Sequence, residues 1–153
     1  MKKVFIISGL LIIFMLIMAF TGIMDFKNNI KEAIIKGNKF YGENNYEMAL
    51  KTYKNGLEYN KQNAKLNYNS AQASYILGNY QEAIEYYKKA PDKPDKYLNA
   101  GNSNLKLGDV QSDTNQKLMC YQQALEAYKQ GILKFPDNVP LKYNYEYVKC
   151  KIE

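Results

Sequence analysis

Reactive chemistry has few places to sit in this chain. It contains no His, so the commonest general base and the commonest metal ligand are both missing. Cys120 and Cys150 are its only thiols, too few for a four-ligand zinc site and enough for one disulfide at most. All 21 positive side chains are Lys, so the bidentate donor that favours phosphate and guanine is absent. The carboxylates mostly face Lys three or four residues away, as Glu85 faces Lys88 and Lys89. Each such pair adds only about 0.2–0.5 kcal/mol to a solvated helix face. No catalytic residue, metal or cofactor is expected. Amides and phenols remain, with 17 Asn and 15 Tyr.

The Asn residues recur in a pattern: Asn38, Asn67, Asn69, Asn99, Asn102 and Asn144. An amide both donates and accepts, so a row of them can hold the main chain of an extended peptide whatever its side chains. The same amides also suit bonds between helices, and the sequence leaves both readings open. Tyr could stack on bases, but most Tyr fall at repeating core positions and the Lys form no one-sided cluster. A net charge of +6 is therefore no argument for nucleic acid.

The elements that must position these side chains repeat. Tyr46-Glu47-Met48-Ala49-Leu50-Lys51-Thr52-Tyr53 aligns with Tyr80-Gln81-Glu82-Ala83-Ile84-Glu85-Tyr86-Tyr87, 34 residues on. A third copy is Tyr121-Gln122-Gln123-Ala124-Leu125-Glu126-Ala127-Tyr128. Each follows a second element, carrying Gly37-Asn38, Ala71-Gln72 or Gly101-Asn102. Gly37, Ala71, Gly101, Ala49, Ala83 and Ala124 are small where two backbones must cross. Phe40, Tyr53, Tyr75, Tyr87, Leu105 and Tyr128 recur at helical spacing to fill the space between units. Turns are expected at 43–45, at Gly78-Asn79 and at Gly108-Asp109. The second unit is cut short by Pro91 and Pro94, and the third holds 11 extra residues between Asp109 and Tyr121. That insertion reads as a surface loop with an upstream extension of the following helix.

A 34-residue period of helix pairs resembles the tetratricopeptide repeat (TPR) family. Leu77-Gly78-Asn79-Tyr80-Gln81-Glu82-Ala83-Ile84-Glu85-Tyr86-Tyr87-Lys88-Lys89-Ala90 carries the resemblance most fully. It implies an all-α, right-handed superhelix of three helix pairs (30–63, 64–93, 94–138) closed by a capping helix at 139–153. It also implies a protein or peptide partner held in the concave face. The groove would be lined by Ile34, Ile35, Asn38, Tyr41, Tyr68, Asn69, Gln72, Tyr75, Leu98, Asn99, Asn102 and Tyr143. Some members of the family grip a C-terminal carboxylate with two Asn and three basic side chains. The resemblance places those Asn at Asn38 and Asn69, but puts Ile34, Asp95 and Asn99 where the basic groups belong. Asp137-Asn138-Val139-Pro140-Leu141-Lys142-Tyr143-Asn144-Tyr145-Glu146-Tyr147 is similar to the TPR components of bacterial Bat (aerotolerance) operons.

Ahead of the repeats, Val4 to Met24 carries no charge. As a helix this run spans about 31 Å, the thickness of a bilayer's hydrocarbon core. Residues 1–24 are thus expected to be a transmembrane anchor, with 25–29 as a juncture. A cleaved signal peptide is the alternative, leaving a secreted subunit of an envelope assembly, although Ala19-Phe20-Thr21 is a poor cleavage site. Lys2 and Lys3 favour an inside N-terminus and place the repeats outside a bacterial cytoplasm. Pairing across the last turn sets Cys120 roughly 7.5 Å out of register with Cys150, so two free thiols are expected. Oligomeric state is left open.

Overall fold

The computed structural model describes the backbone of residues 2–153 and the side chains of residues 11–22 and 25–153. Seven helices follow one another, with no strand among the described residues: α1 (Lys2–Gly42), α2 (Tyr46–Tyr59), α3 (Ala64–Ile76), α4 (Tyr80–Lys88), α5 (Pro94–Asp109), α6 (Thr114–Lys134) and α7 (Val139–Ile152). They pair as α1/α2, α3/α4 and α5/α6, with α7 packed on α5 and α6. The fold is the expected superhelix of three pairs and a cap.

Polar side chains at the turns start most of these helices. Asn45, Asn63, Asp113 and Asn138 each accept a hydrogen bond from the backbone N–H three residues on, at 2.8–3.2 Å. Each removes one orphan donor from a helix start. Pro91 follows the end of α4, and Pro94 opens α5, where its missing N–H costs nothing. Three of the Asn residues therefore serve capping.

Close approach of the helices decides the packing. A Cβ built on Gly37 would lie 2.2 Å from Cε1 of Tyr53, and one on Gly101 would lie 2.2 Å from Cε1 of Tyr128. The rings of α2 and α6 thus rest against bare backbone of α1 and α5. Ala49, Ala83 and Ala124 are fully buried, as the crossings require. The core forms three clusters, with Leu50 and Tyr53 of the first unit meeting Leu66 of the second, Ala71, Ala83 and Tyr87 within the second, and Tyr121 and Tyr128 of the third meeting Leu141 and Val148 of the cap.

Two sequence expectations need correction. The segment 25–29 is no break, because α1 is helical from Lys2 to Gly42; no Gly or Pro lies between 23 and 36 to interrupt it. Gly108-Asp109 is not a turn but the last turn of α5, where Gly108 admits the Tyr121 ring within 2.7 Å of its would-be Cβ. The insertion divides as expected, into a short loop and an upstream extension of α6. Only 110–113 is non-helical, and the rest lengthens α6 to 21 residues against 14 in α2.

Salt bridges clasp the last unit at both ends. Lys134 Nζ lies 2.8 Å from Asp92, and Lys151 Nζ lies 2.7 Å from Asp109. Tyr97 and Tyr121 donate to the same two carboxylates. The Lys134 and Tyr97 hydrogen bonds hold the Asp92 carboxyl below its ordinary value. Burial pushes Asp109 upward, but its bonds from Lys151 and Tyr121 outweigh that and leave it lowered.

Gly101→Ala should destabilise the domain by about 1–3 kcal/mol through overpacking, despite a helix-propensity gain of up to about 1 kcal/mol. Gly42→Ala, whose Cβ meets nothing within 4 Å, should leave stability unchanged or raise it. Thermal denaturation followed by circular dichroism separates the two.

Candidate functional site

The expected groove residues lie on α1, α3, α5 and α7, each contributing side chains at corresponding positions. Ile34, Tyr68, Leu98 and Tyr143 form one row, Ile35, Asn69, Asn99 and Asn144 a second, and Asn38, Gln72 and Asn102 a third. Tyr41 and Tyr75 continue the surface toward the far turns. Most of these side chains are partly exposed, while Ile35, Asn38 and Tyr143 are open to solvent. A surface of this kind offers phenol and amide edges between apolar patches.

The amides are organised by the glycine-seated tyrosines. Tyr53 Oη donates to Asn38 Oδ1 at 2.8 Å, and Asn69 Nδ2 donates to the same oxygen at 2.8 Å. The arrangement recurs at the other end, where Tyr128 Oη and Asn144 Nδ2 both donate to Asn102 Oδ1 at 2.8 Å. The helix-to-helix reading of the Asn row is met at both ends: the oxygens tie neighbouring helices together. Among the described residues no protein acceptor takes the Nδ2 hydrogens of Asn38 or Asn102.

The middle unit departs from this pattern. Its counterpart of Gly37 and Gly101 is Ala71, whose methyl denies Tyr87 the same seat. Tyr87 meets Tyr68 edge-on instead, with centroids 6.0 Å apart, a geometry aromatic pairs favour. Gln72 Nε2 approaches Tyr68 Oη at 3.4 Å, a weak contact. Tyr75 pairs edge-on with Tyr80 at 5.5 Å, and Tyr41 with Tyr46 at 5.2 Å. The groove therefore has two amide-rich ends and a phenolic centre.

Its charge is not that of a carboxylate grip. None of the lining residues is basic, and Asp95 is exposed near Tyr68. Burial first, and then that carboxylate, raise the Tyr68 pKa, with Asn99 opposing. Burial likewise raises Tyr41, assisted by Tyr46 and Tyr68, and Tyr75, assisted by Tyr80 and Asp109. Desolvation pushes Tyr53 up to about 12, and it pushes Tyr87 and Tyr128 higher still.

Asn67 does not belong to the row. It is buried beneath the α2–α3 turn, donating to the carbonyls of Lys61 and Asn63 at 3.0 and 2.9 Å. Asn144, which donates to Asn102, was not among the expected lining residues. Its signal was the spacing to Asn102, which equals that of Asn38 to Asn69 plus the insertion. Cys120 is buried and Cys150 exposed, and both are free. No group of three or more metal-ligating side chains gathers among the described residues.

The pH dependence follows from the buried phenols. A tyrosine whose folded pKa is raised gives stability that is complete below its unfolded value near 10 and is lost as pH climbs through the folded value. Tyr53 and Tyr86, both held near 12, should therefore make the domain lose stability between about pH 10 and 12. Ultraviolet titration of tyrosinate, read beside circular dichroism, should show the last phenols ionising together with unfolding.

Comparison with known proteins agrees with this geometry. Residues 36–97 match the family model described as tetratricopeptide repeat. Human tetratricopeptide repeat protein 12 is 36% identical over 95 residues, covering 60% of this chain and 13% of that protein. Among solved structures, the second TPR domain of human RPAP3, in complex with an HSP70 peptide, superposes with a TM-score of 0.68. Its identity is 22%, over 81% of this chain and 98% of that one. A thermophilic TPR protein of Thermus thermophilus gives 0.67 at 21% identity, over 80% of this chain and 66% of that one. The first TPR of Spaghetti, bound to an HSP90 peptide, gives 0.67 at 20% identity, over 82% and 94%. With its period, its helix pairs and the match over 36–97 all in agreement, the chain is similar to the tetratricopeptide repeat family and has its fold.

Proposed function

We propose that this chain is a membrane-tethered interaction module whose concave groove holds an extended segment of a partner protein. The observation that carries the reading is the pair of Asn amides, Asn38 and Asn102, each fixed through its oxygen with its N–H groups left over. Donors held in this way satisfy main-chain carbonyls without reading side chains. Tyr41, Tyr68, Tyr75 and Tyr143 supply the contact area that dominates such interfaces. TPR domains of similar fold hold HSP70 and HSP90 peptides, which supports a binding role here rather than a catalytic one.

The ligand differs in kind from those peptides, which end in EEVD. With Ile34, Asp95 and Asn99 in place of basic groups, nothing offers a terminal carboxylate a charge-assisted bond. An internal, largely apolar stretch fits better, and Asp95 disfavours acidic ones. The tether is the upstream half of α1, which is long and apolar enough to cross a bilayer. Its side chains from 11 to 22 are all exposed. In this reading the protein is a single-pass protein of a bacterial cell membrane, with the repeats outside the cytoplasm.

Two experiments test this. Alkaline and high-salt washes should leave the full-length chain in the membrane fraction, whereas recovery in the wash would refute the tether. For a selected peptide ligand, amidating its C-terminus should change affinity little. Asn69→Ala with Tyr75→Ala should weaken binding by about 2 kcal/mol or more, in the range of interface hot spots. Binding that collapses on amidation, or survives the double change, would show the groove is read wrongly.

A further inference from the structure

Resting on the tether reading, we infer that α1 and the α2–α3 turn form a binding site for one anionic phospholipid. A groove of about 930 Å³ runs along α1 from Met18 to Ile35 and is closed on one side by Asn60, Asn63 and Lys65. Met18, Phe26 and Ile30 make its wall apolar, whereas Lys27, Lys31 and Lys65 stand at its rim. Phe26 meets Tyr59 edge-on at 5.6 Å. That contact sets the end of α2 level with α1 two residues beyond the uncharged run.

The groove therefore crosses the expected boundary of the bilayer. Met18 lies within the apolar run, and Lys31 lies about 10 Å beyond its end at Met24. A phospholipid has the same division, with acyl chains below and a phosphate above. All three lysines are exposed, and none takes part in an ion pair among the described residues. Asp25, Glu32 and Lys36 fall on the opposite side of α1, where Glu32 and Lys36 pair with each other. The rim is thus positive without internal neutralisation, and it complements an anionic headgroup rather than a zwitterionic one. The uninterrupted helix through 25–29 keeps the lysines at a fixed height.

The full-length chain, reconstituted in nanodiscs of phosphatidylglycerol and phosphatidylcholine and released into the gas phase, reports retained lipid by native mass spectrometry. One phosphatidylglycerol should be retained in preference to phosphatidylcholine. Each of K27Q, K31Q and K65Q should lower that retention about fivefold, the factor that corresponds to about 1 kcal/mol per lysine at an anionic surface. K129Q, on the exposed face of α6, should leave it unchanged. Circular dichroism of each variant confirms that it is folded. Equal retention of the two lipids, or retention of phosphatidylglycerol undiminished in K27Q, K31Q and K65Q, would overturn the site while leaving the tether intact. Chain recovered outside the nanodiscs would overturn the tether itself, and the site with it.

Discussion

Everything on the concave face depends on two places where a tyrosine ring lies against bare helix backbone. At Gly37 and Gly101 even a methyl group would overlap the ring of Tyr53 or Tyr128. Close-packed interiors give way little to such overlap, so the rings have a single seat. That seat fixes each hydroxyl, each hydroxyl fixes an Asn oxygen, and the next helix adds its own amide to the same oxygen. Helix spacing, unit-to-unit contact and the direction of the leftover N–H groups follow from one steric constraint.

The middle unit shows what happens when the constraint is relaxed. Ala71 replaces glycine, Gln72 replaces Asn, and the phenol of Tyr87 turns to Tyr68. Two fixed polar ends flank a softer aromatic centre, an arrangement that suits a main chain gripped at two points with side chains between. The third unit is stiffened differently. Its longer α5 and α6 are clasped by Lys134–Asp92 and Lys151–Asp109, the second of which draws the capping helix onto the stack. Exposed pairs of this kind contribute little individually, but these two share their carboxylates with Tyr97 and Tyr121.

Repeat and crossing residues were legible because they obey a period, and a period survives in sequence when its cause is steric. Gly37, Ala83 and Tyr128 could be assigned before any coordinates. Individual polar roles were less legible. Asn67 and Asn69 look alike in a row, yet two residues of helix turn them to nearly opposite faces, and only Asn69 reaches the groove. Gly108 followed by Asp109 reads as a turn, although here the glycine admits Tyr121. The continuity of α1 was written in the absence of Gly and Pro between 23 and 36, but the change in composition at residue 25 drew the boundary instead. What no local pattern carries is the choice of ligand, since it depends on side chains from four helices.

That α1 belongs both to the first repeat and to the apolar run gives the proposed tether a mechanical consequence. On that proposal a groove joined to its anchor without a linker would not sample distant partners, and its ligand would pass close to the membrane. The claim beneath this picture is that the spare amide hydrogens of Asn38 and Asn102 take the ligand's carbonyls. Side-chain amide resonances in a 15N spectrum, followed as a selected peptide is added, test it most directly. The Nδ2 signals of Asn38 and Asn102 should shift together and saturate with binding. Shifts confined to α2, α4 and α6, with those two amides unmoved, would contradict it.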